Sequence, residues 1–107
     1  MSNYIVIDVE FDGPLLGINS MISLGAVAIN KNGDELGEFE INLKPLEKSH
    51  PDPVTMDWFY SEAPEALKYC RQNLFSPSEA MNKFGDWLLN LPKPRIMAAH
   101  PAPSDFA

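Results

Sequence analysis

One cysteine, two histidines and eight basic residues among 107 positions set the first limits on this chain. Cys70 alone can build neither a disulfide framework nor a cysteine-based zinc site, which fits a reducing cytoplasm as the expected setting. Eight Lys and Arg against fifteen Asp and Glu give a net charge of −7. That balance excludes a broad basic surface of the kind that grips duplex phosphate. It leaves open a nucleic-acid enzyme whose bound metal ions bring the positive charge. No apolar run approaches the ~20 residues that span a bilayer, so no membrane partner is expected. The first apolar segment is short and interrupted by Asp8, unlike a signal peptide. Repeats and low-complexity tracts are lacking too, and residues 1–107 read as one domain.

What the chain does have begins at Tyr4-Ile5-Val6-Ile7-Asp8-Val9-Glu10. This β-branched and aromatic run predicts a strand over residues 3–9, buried on both faces as a central strand would be. Asp8 and Glu10 are two apart, so in extended chain they point to the same side, about 7 Å apart. Carboxylates held that close repel unless a cation or a shared proton intervenes.

Phe11-Asp12-Gly13-Pro14 then breaks the strand, and Met21 to Ile29 read as a second. Asn32-Gly33 tolerates positive φ and signals a hairpin turn. In the third strand Phe39, Ile41 and Leu43 should point inward and Glu38, Glu40 and Asn42 outward, as on an antiparallel or edge strand. The proline-bearing stretch from Pro45 to Pro53 reads as a loop, and Thr55 to Tyr60 as a short helix anchored by Met56, Trp58 and Phe59. A longer helix is expected from Pro64 to Asn73, with Leu67, Cys70 and Leu74 on one face. Ser76-Pro77-Ser78-Glu79 is a strong helix start. The helix it opens should bury Ala80, Phe84, Trp87 or Leu88, and Leu91, and stop at Pro92 and Pro94. Arg95 to Ala99 should return to the sheet as a strand and deliver the chain to His100 and Asp105.

Asp8, Glu10 and Asp105 are the acids of interest. Hard cations such as Mg²⁺ or Mn²⁺ want carboxylate oxygens, and two of them ~4 Å apart can drive phosphodiester cleavage. The alternative is that Asp8 and Glu10 simply end a strand in solvent. Among other candidates, His50 reads as a solvent-facing loop residue, and Cys70 and Trp87 as core. Trp58 and Phe59 read as hydrophobic anchors rather than base-stacking groups.

The segments from Ile5 to Gly13 and from Met21 to Val27 resemble the opening of the DEDD (DnaQ-like) 3′–5′ exonuclease superfamily. Its pattern is an apolar strand, D-x-E, a glycine, then I-x-x-[LI]-[GA]-x-V. Residues 98–106 are similar to its second motif, and the stretch from Met56 to Ala66 to its ribonuclease T-like members. The resemblance implies a ribonuclease H-like α/β fold: a mixed sheet with a strand hairpin first, then helices, then a returning strand. It further implies a metal-dependent 3′–5′ exonuclease acting on single-stranded RNA or DNA, with two Mg²⁺ or Mn²⁺ per complete site. Asp8 would bridge both metals, Glu10 would bind one, and Asp105 would support the site. Phe11 and His100, beside the two motifs, are the expected substrate contacts.

His100 and Asp105 also have the H-x-x-x-x-D spacing of the superfamily's third motif. Pro101 and Pro103 forbid a helix interior there, which favours the second-motif reading. On that reading the chain is the N-terminal portion of a catalytic domain, without its general base and its fourth acid. The fold would be incomplete at its C-terminus, with an exposed apolar last strand that invites a homodimer. Two other readings stay open: a non-catalytic fragment that binds metal, nucleic acid or a partner, and a haloacid dehalogenase-type phosphatase. The phosphatase requires the first strand to lead through a loop into a helix rather than into a hairpin.

Overall fold

In the computed structural model, residues 2–15 and 17–99 are described. The elements run β1 (Asn3–Phe11), β2 (Met21–Ile29), β3 (Glu35–Leu43), α1 (Pro53–Glu62), α2 (Pro64–Cys70), β4 (Leu74–Phe75), α3 (Pro77–Leu89) and β5 (Arg95–Ala99). They build one mixed sheet in the order β4-β3-β2-β1-β5. The first three strands are antiparallel neighbours, while β5 returns parallel to β1. The expected hairpin, helices and returning strand are therefore all present. A phosphatase of the dehalogenase type would have led β1 into a helix; here β1 leads into the antiparallel β2.

The turn between β2 and β3 forms because Gly33 takes φ 85°, a conformation that costs glycine little. The Asn30 side chain closes this turn by accepting from the amides of Asn32 and Asp34. Helix α3 starts at its expected cap, with Ser76 Oγ accepting from the Glu79 amide at 3.2 Å. Both Trp87 and Leu88, rather than one of them, pack with Phe84 against Ile5, Ala26, Ala28 and Leu91. Next to this cluster, Ala80 of α3 meets Leu24, Ile41 and Leu43. One face of the sheet is thus closed by α3.

The sequence reading of β1 as buried on both faces is corrected by the other side of the sheet. Val6 is half-buried there, and Tyr4, Asp8 and Glu10 are exposed. Among the described residues no helix covers the centre of that face, so β1 is central in the sheet but one-sided in its burial.

Three further expectations shift. Helix α1 starts at Pro53, two residues before Thr55, because Asp52 caps it by accepting from the Thr55 amide and hydroxyl. Trp58 is 54% exposed while Phe59 is 3% exposed; adjacent helical residues diverge by ~100°, and the core takes only one of them. Helix α2 ends at Cys70 instead of Asn73, and Leu74 joins Phe75 in a short strand parallel to Asn42 and Leu43. Asn73, at φ 52°, makes the turn between them.

Asn42 departs from the outward, solvated position expected of it and is 8% exposed. Its amide donates to the carbonyls of Tyr69 and Gln72 at 2.8 and 3.1 Å, while its oxygen accepts from Ser23 Oγ at 3.0 Å. The carbonyls at the end of α2, which lack helical partners, are what draw it inward.

Candidate functional site

The site is built on the sheet face that α3 leaves open. Asp8 and Glu10 lie on the same side of β1 and both are exposed. Antiparallel pairing puts Asp8 opposite Gly25 and Glu10 opposite Ser23. One strand further, Gly25 pairs with Glu40 and Ser23 with Asn42. Two rows therefore cross the sheet, Asp8-Gly25-Glu40 and Glu10-Ser23-Asn42, with side chains on a common face.

Gly25 leaves a gap in the first row. A Cβ there would meet only the Asp8 carbonyl oxygen, at 3.9 Å. A hollow of about 410 Å³ opens over it, lined by Val6, Asp8, Val27, Glu38 and Glu40 among others. Its floor is apolar and its rims are acidic.

Helix α2 walls the second row. Burial pushes the Cys70 thiol above its ordinary pKa; contact with Ser23 opposes this, and the nearby Glu10 and Glu40 carboxylates add to it. The Tyr69 hydroxyl, held by the Glu40 carboxylate, is also raised. Cys70 packs with Ile22, Phe59 and Leu67, in the core position expected of it.

Beyond Glu10 a bulge between Glu10 and Phe11 shifts the pairing of β1 with β2, and half-buried Phe11 ends the strand. Asp12 follows, 4% exposed, with its carboxylate accepting from the Ser20 amide at 2.6 Å. His50 is exposed as expected, and its backbone joins the same loop cluster. His100 and Asp105 lie outside the described residues.

The structure therefore brings together Asp8 and Glu10 of the predicted residues and adds Glu40, which the alternation of β3 had marked only as solvent-facing. The register of Gly25 between two acids is the signal that links it to Asp8. Among the described residues no three His, Cys, Asp or Glu side chains converge as a complete metal cage. The Asp8 and Glu10 oxygens on an open face suit a Mg²⁺ or Mn²⁺ ion that keeps several waters and takes few protein ligands.

No protein-family model matches the sequence, and no curated protein matches it. Solved structures do match in fold. The nuclease domain of 3′hExo, a DEDDh family member bound to rAMP, aligns at TM-score 0.64 and 13% identity. That alignment covers 92% of this chain and 52% of that one. E. coli Exonuclease I in complex with a dA16 oligonucleotide aligns at TM-score 0.69 and 15% identity, covering 92% of this chain and 20% of its own. A full-length 3′-exonuclease aligns at TM-score 0.62 and 12% identity, covering 94% and 46%. The chain spans about half the length of the first and a fifth of the second. The fold is a ribonuclease H-like mixed α/β sheet, shared with exonucleases.

Proposed function

We propose that this chain carries the first part of the active centre of a metal-dependent 3′–5′ exonuclease acting on single-stranded RNA or DNA, within one ribonuclease H-like domain over residues 1–107. The observation that carries the reading is the exposure of Asp8 and Glu10, side by side at the carboxyl end of a central strand, in a fold shared with exonucleases. Open α/β sheets place their ligands at that end of their strands.

Asp8 and Glu10 would hold the cations, Asp8 from the row next to the hollow and Glu10 from the row beside α2. Asp105 would add a further oxygen ligand, and Phe11 and His100 would contact the substrate. When bound, Mg²⁺ or Mn²⁺ supplies an activated water and stabilises the leaving oxygen of the phosphodiester. The net charge of −7 repels a polyphosphate strand, so the affinity of this face for nucleic acid depends on the ions it holds. Exposed Trp58 offers a flat apolar surface on α1 of the kind that stacks bases.

The test is degradation of a 5′-labelled single-stranded oligonucleotide in Mn²⁺ by a domain that contains this chain together with a general base and a fourth acid, and by its Asp8→Ala variant. Shortening from the 3′ end that disappears in Asp8→Ala is expected. Equal shortening by both proteins contradicts the assignment. Mn²⁺ binding that needs Asp8, without any shortening, identifies the non-catalytic metal-binding module instead.

A further inference from the structure

We propose that Glu40, held in place by the Tyr69 hydroxyl, is a specificity-determining residue: it accepts a hydrogen bond from a ribose 2′-hydroxyl, so that single-stranded RNA is preferred to DNA. The inference rests on the exonuclease reading of Asp8 and Glu10 and names the substrate class of that same site.

Register puts Glu40 on the face of the acid pair. It pairs with Gly25, and Gly25 with Asp8, so the two acids stand two strand spacings, about 10 Å, apart. Asp8 and Glu40 both line the hollow above Gly25. The Cys70 thiol feels the Glu10 and Glu40 carboxylates alike, which ties Glu40 to the second row of the site as well.

Tyr69, next to Cys70 on α2, is fixed at both ends by side chains of β3. Its carbonyl accepts from the Asn42 amide at 2.8 Å, and its hydroxyl donates to the Glu40 carboxylate. The phenol proton is thereby committed to Glu40. What the pair offers outward is oxygen only, from the carboxylate and from the phenol, and both are acceptors. Glu40 is exposed and Tyr69 is 44% exposed, so both are open to a bound strand.

Of the three parts of a nucleotide, the sugar is the one that matches this rim. The hollow, about 410 Å³, has the size of a small-molecule site and room for one nucleoside. Among the described residues no Lys or Arg lines it, so a phosphate is repelled by Glu38 and Glu40 and stays with the cations on the Asp8 side. A base finds its apolar floor at Val6 and Val27. A ribose hydroxyl is a donor, which Glu40 accepts. Deoxyribose turns carbon-bound hydrogen to the same carboxylate and leaves it without that bond. The 2′-hydroxyl is the group by which a protein tells RNA from DNA at a given position.

The experiment uses three 5′-labelled oligouridine strands of one length: ribo, deoxy and 2′-fluoro. The 2′-fluoro sugar keeps the pucker of ribose but has no proton to donate. Each strand is titrated with the chain in Ca²⁺, which leaves it uncut, and followed by fluorescence anisotropy. The ribo strand should bind about tenfold more tightly than the deoxy strand, as expected for one hydrogen bond to a charged group. The 2′-fluoro strand should bind like the deoxy strand. Glu40→Ala should bring the ribo-to-deoxy ratio to about one, and Tyr69→Phe, which lets the carboxylate turn away, to about threefold. A mere loss of stability weakens both strands together and leaves the ratio standing. Equal binding of ribo and deoxy strands, 2′-fluoro binding as tight as ribo, or a ratio unmoved in Glu40→Ala overturns this inference and leaves the exonuclease reading in place. Failure of the chain to bind any of the three strands overturns both.

Discussion

Asp8 on β1 stands directly opposite Gly25 on β2, and the missing side chain leaves the carboxylate open toward the acidic hollow. Gly25→Ala should fold normally, because a Cβ there meets no atom closer than 3.9 Å, and it should change stability by no more than ~1 kcal/mol. Gly25→Leu fills the hollow and should weaken Mn²⁺ binding about tenfold while thermal unfolding stays cooperative. Calorimetric titration of the two variants checks the difference.

Ile5 is fully buried against α3, with Ala26, Ala28 and Leu91 around it. Ile5→Ala should cost about 2–5 kcal/mol by urea denaturation, because the close-packed neighbours cannot collapse into the space. Tyr4→Ala, on the open face of the same strand, should cost less.

Asn42 satisfies two carbonyls at the end of α2. Asn42→Leu removes a donor from both, leaving the Tyr69 carbonyl only its backbone partners at the end of α2, and should lower stability by about 1–3 kcal/mol. It should also speed the reaction of Cys70 with a thiol reagent, since Asn42 holds the segment that buries this side chain.

Burial raises the Cys70 thiol above its ordinary pKa of 9.0, so folding favours the protonated form. That contribution is whole below pH 9.0 and is lost as the pH climbs through the higher folded-state value, the unfolded chain releasing its proton first. Stability measured by urea denaturation should therefore decline above pH 9.0 more steeply in the native chain than in Cys70→Ala. Parallel decline in both would refute the burial argument.

Local chemistry made much of this legible in the sequence. The Asn32-Gly33 turn and the Ser76 cap each act within a few residues, and each lies where its pattern put it. Misread features depend on partners far along the chain. Leu74 looked like the end of a helix face because its strand partners, Asn42 and Leu43, lie about thirty residues earlier. Asn42 looked solvated because nothing local marks the α2 carbonyls it serves. Trp58 and Phe59 looked equivalent until the packing of α1 chose Phe59.

The acid pair was visible as D-x-E, but its setting was not. Only the register of three strands shows Gly25 between Asp8 and Glu40, and no short sequence window contains that row. The bond from the Asn19 amide to the His50 carbonyl was hidden for the same reason, since the two residues lie 31 positions apart.

The most direct measurement is isothermal titration of the chain with Mn²⁺, beside Asp8→Asn and Glu10→Gln. Both substitutions keep side-chain shape and remove only charge at exposed positions, so folding should be unaffected. The chain should release or absorb heat with saturable binding, and each variant should lose at least about tenfold in affinity, in line with the removal of a metal ligand. Binding that is equal in all three proteins, or absent from the unsubstituted chain, would contradict the claim that Asp8 and Glu10 form the metal-holding edge of a nuclease site.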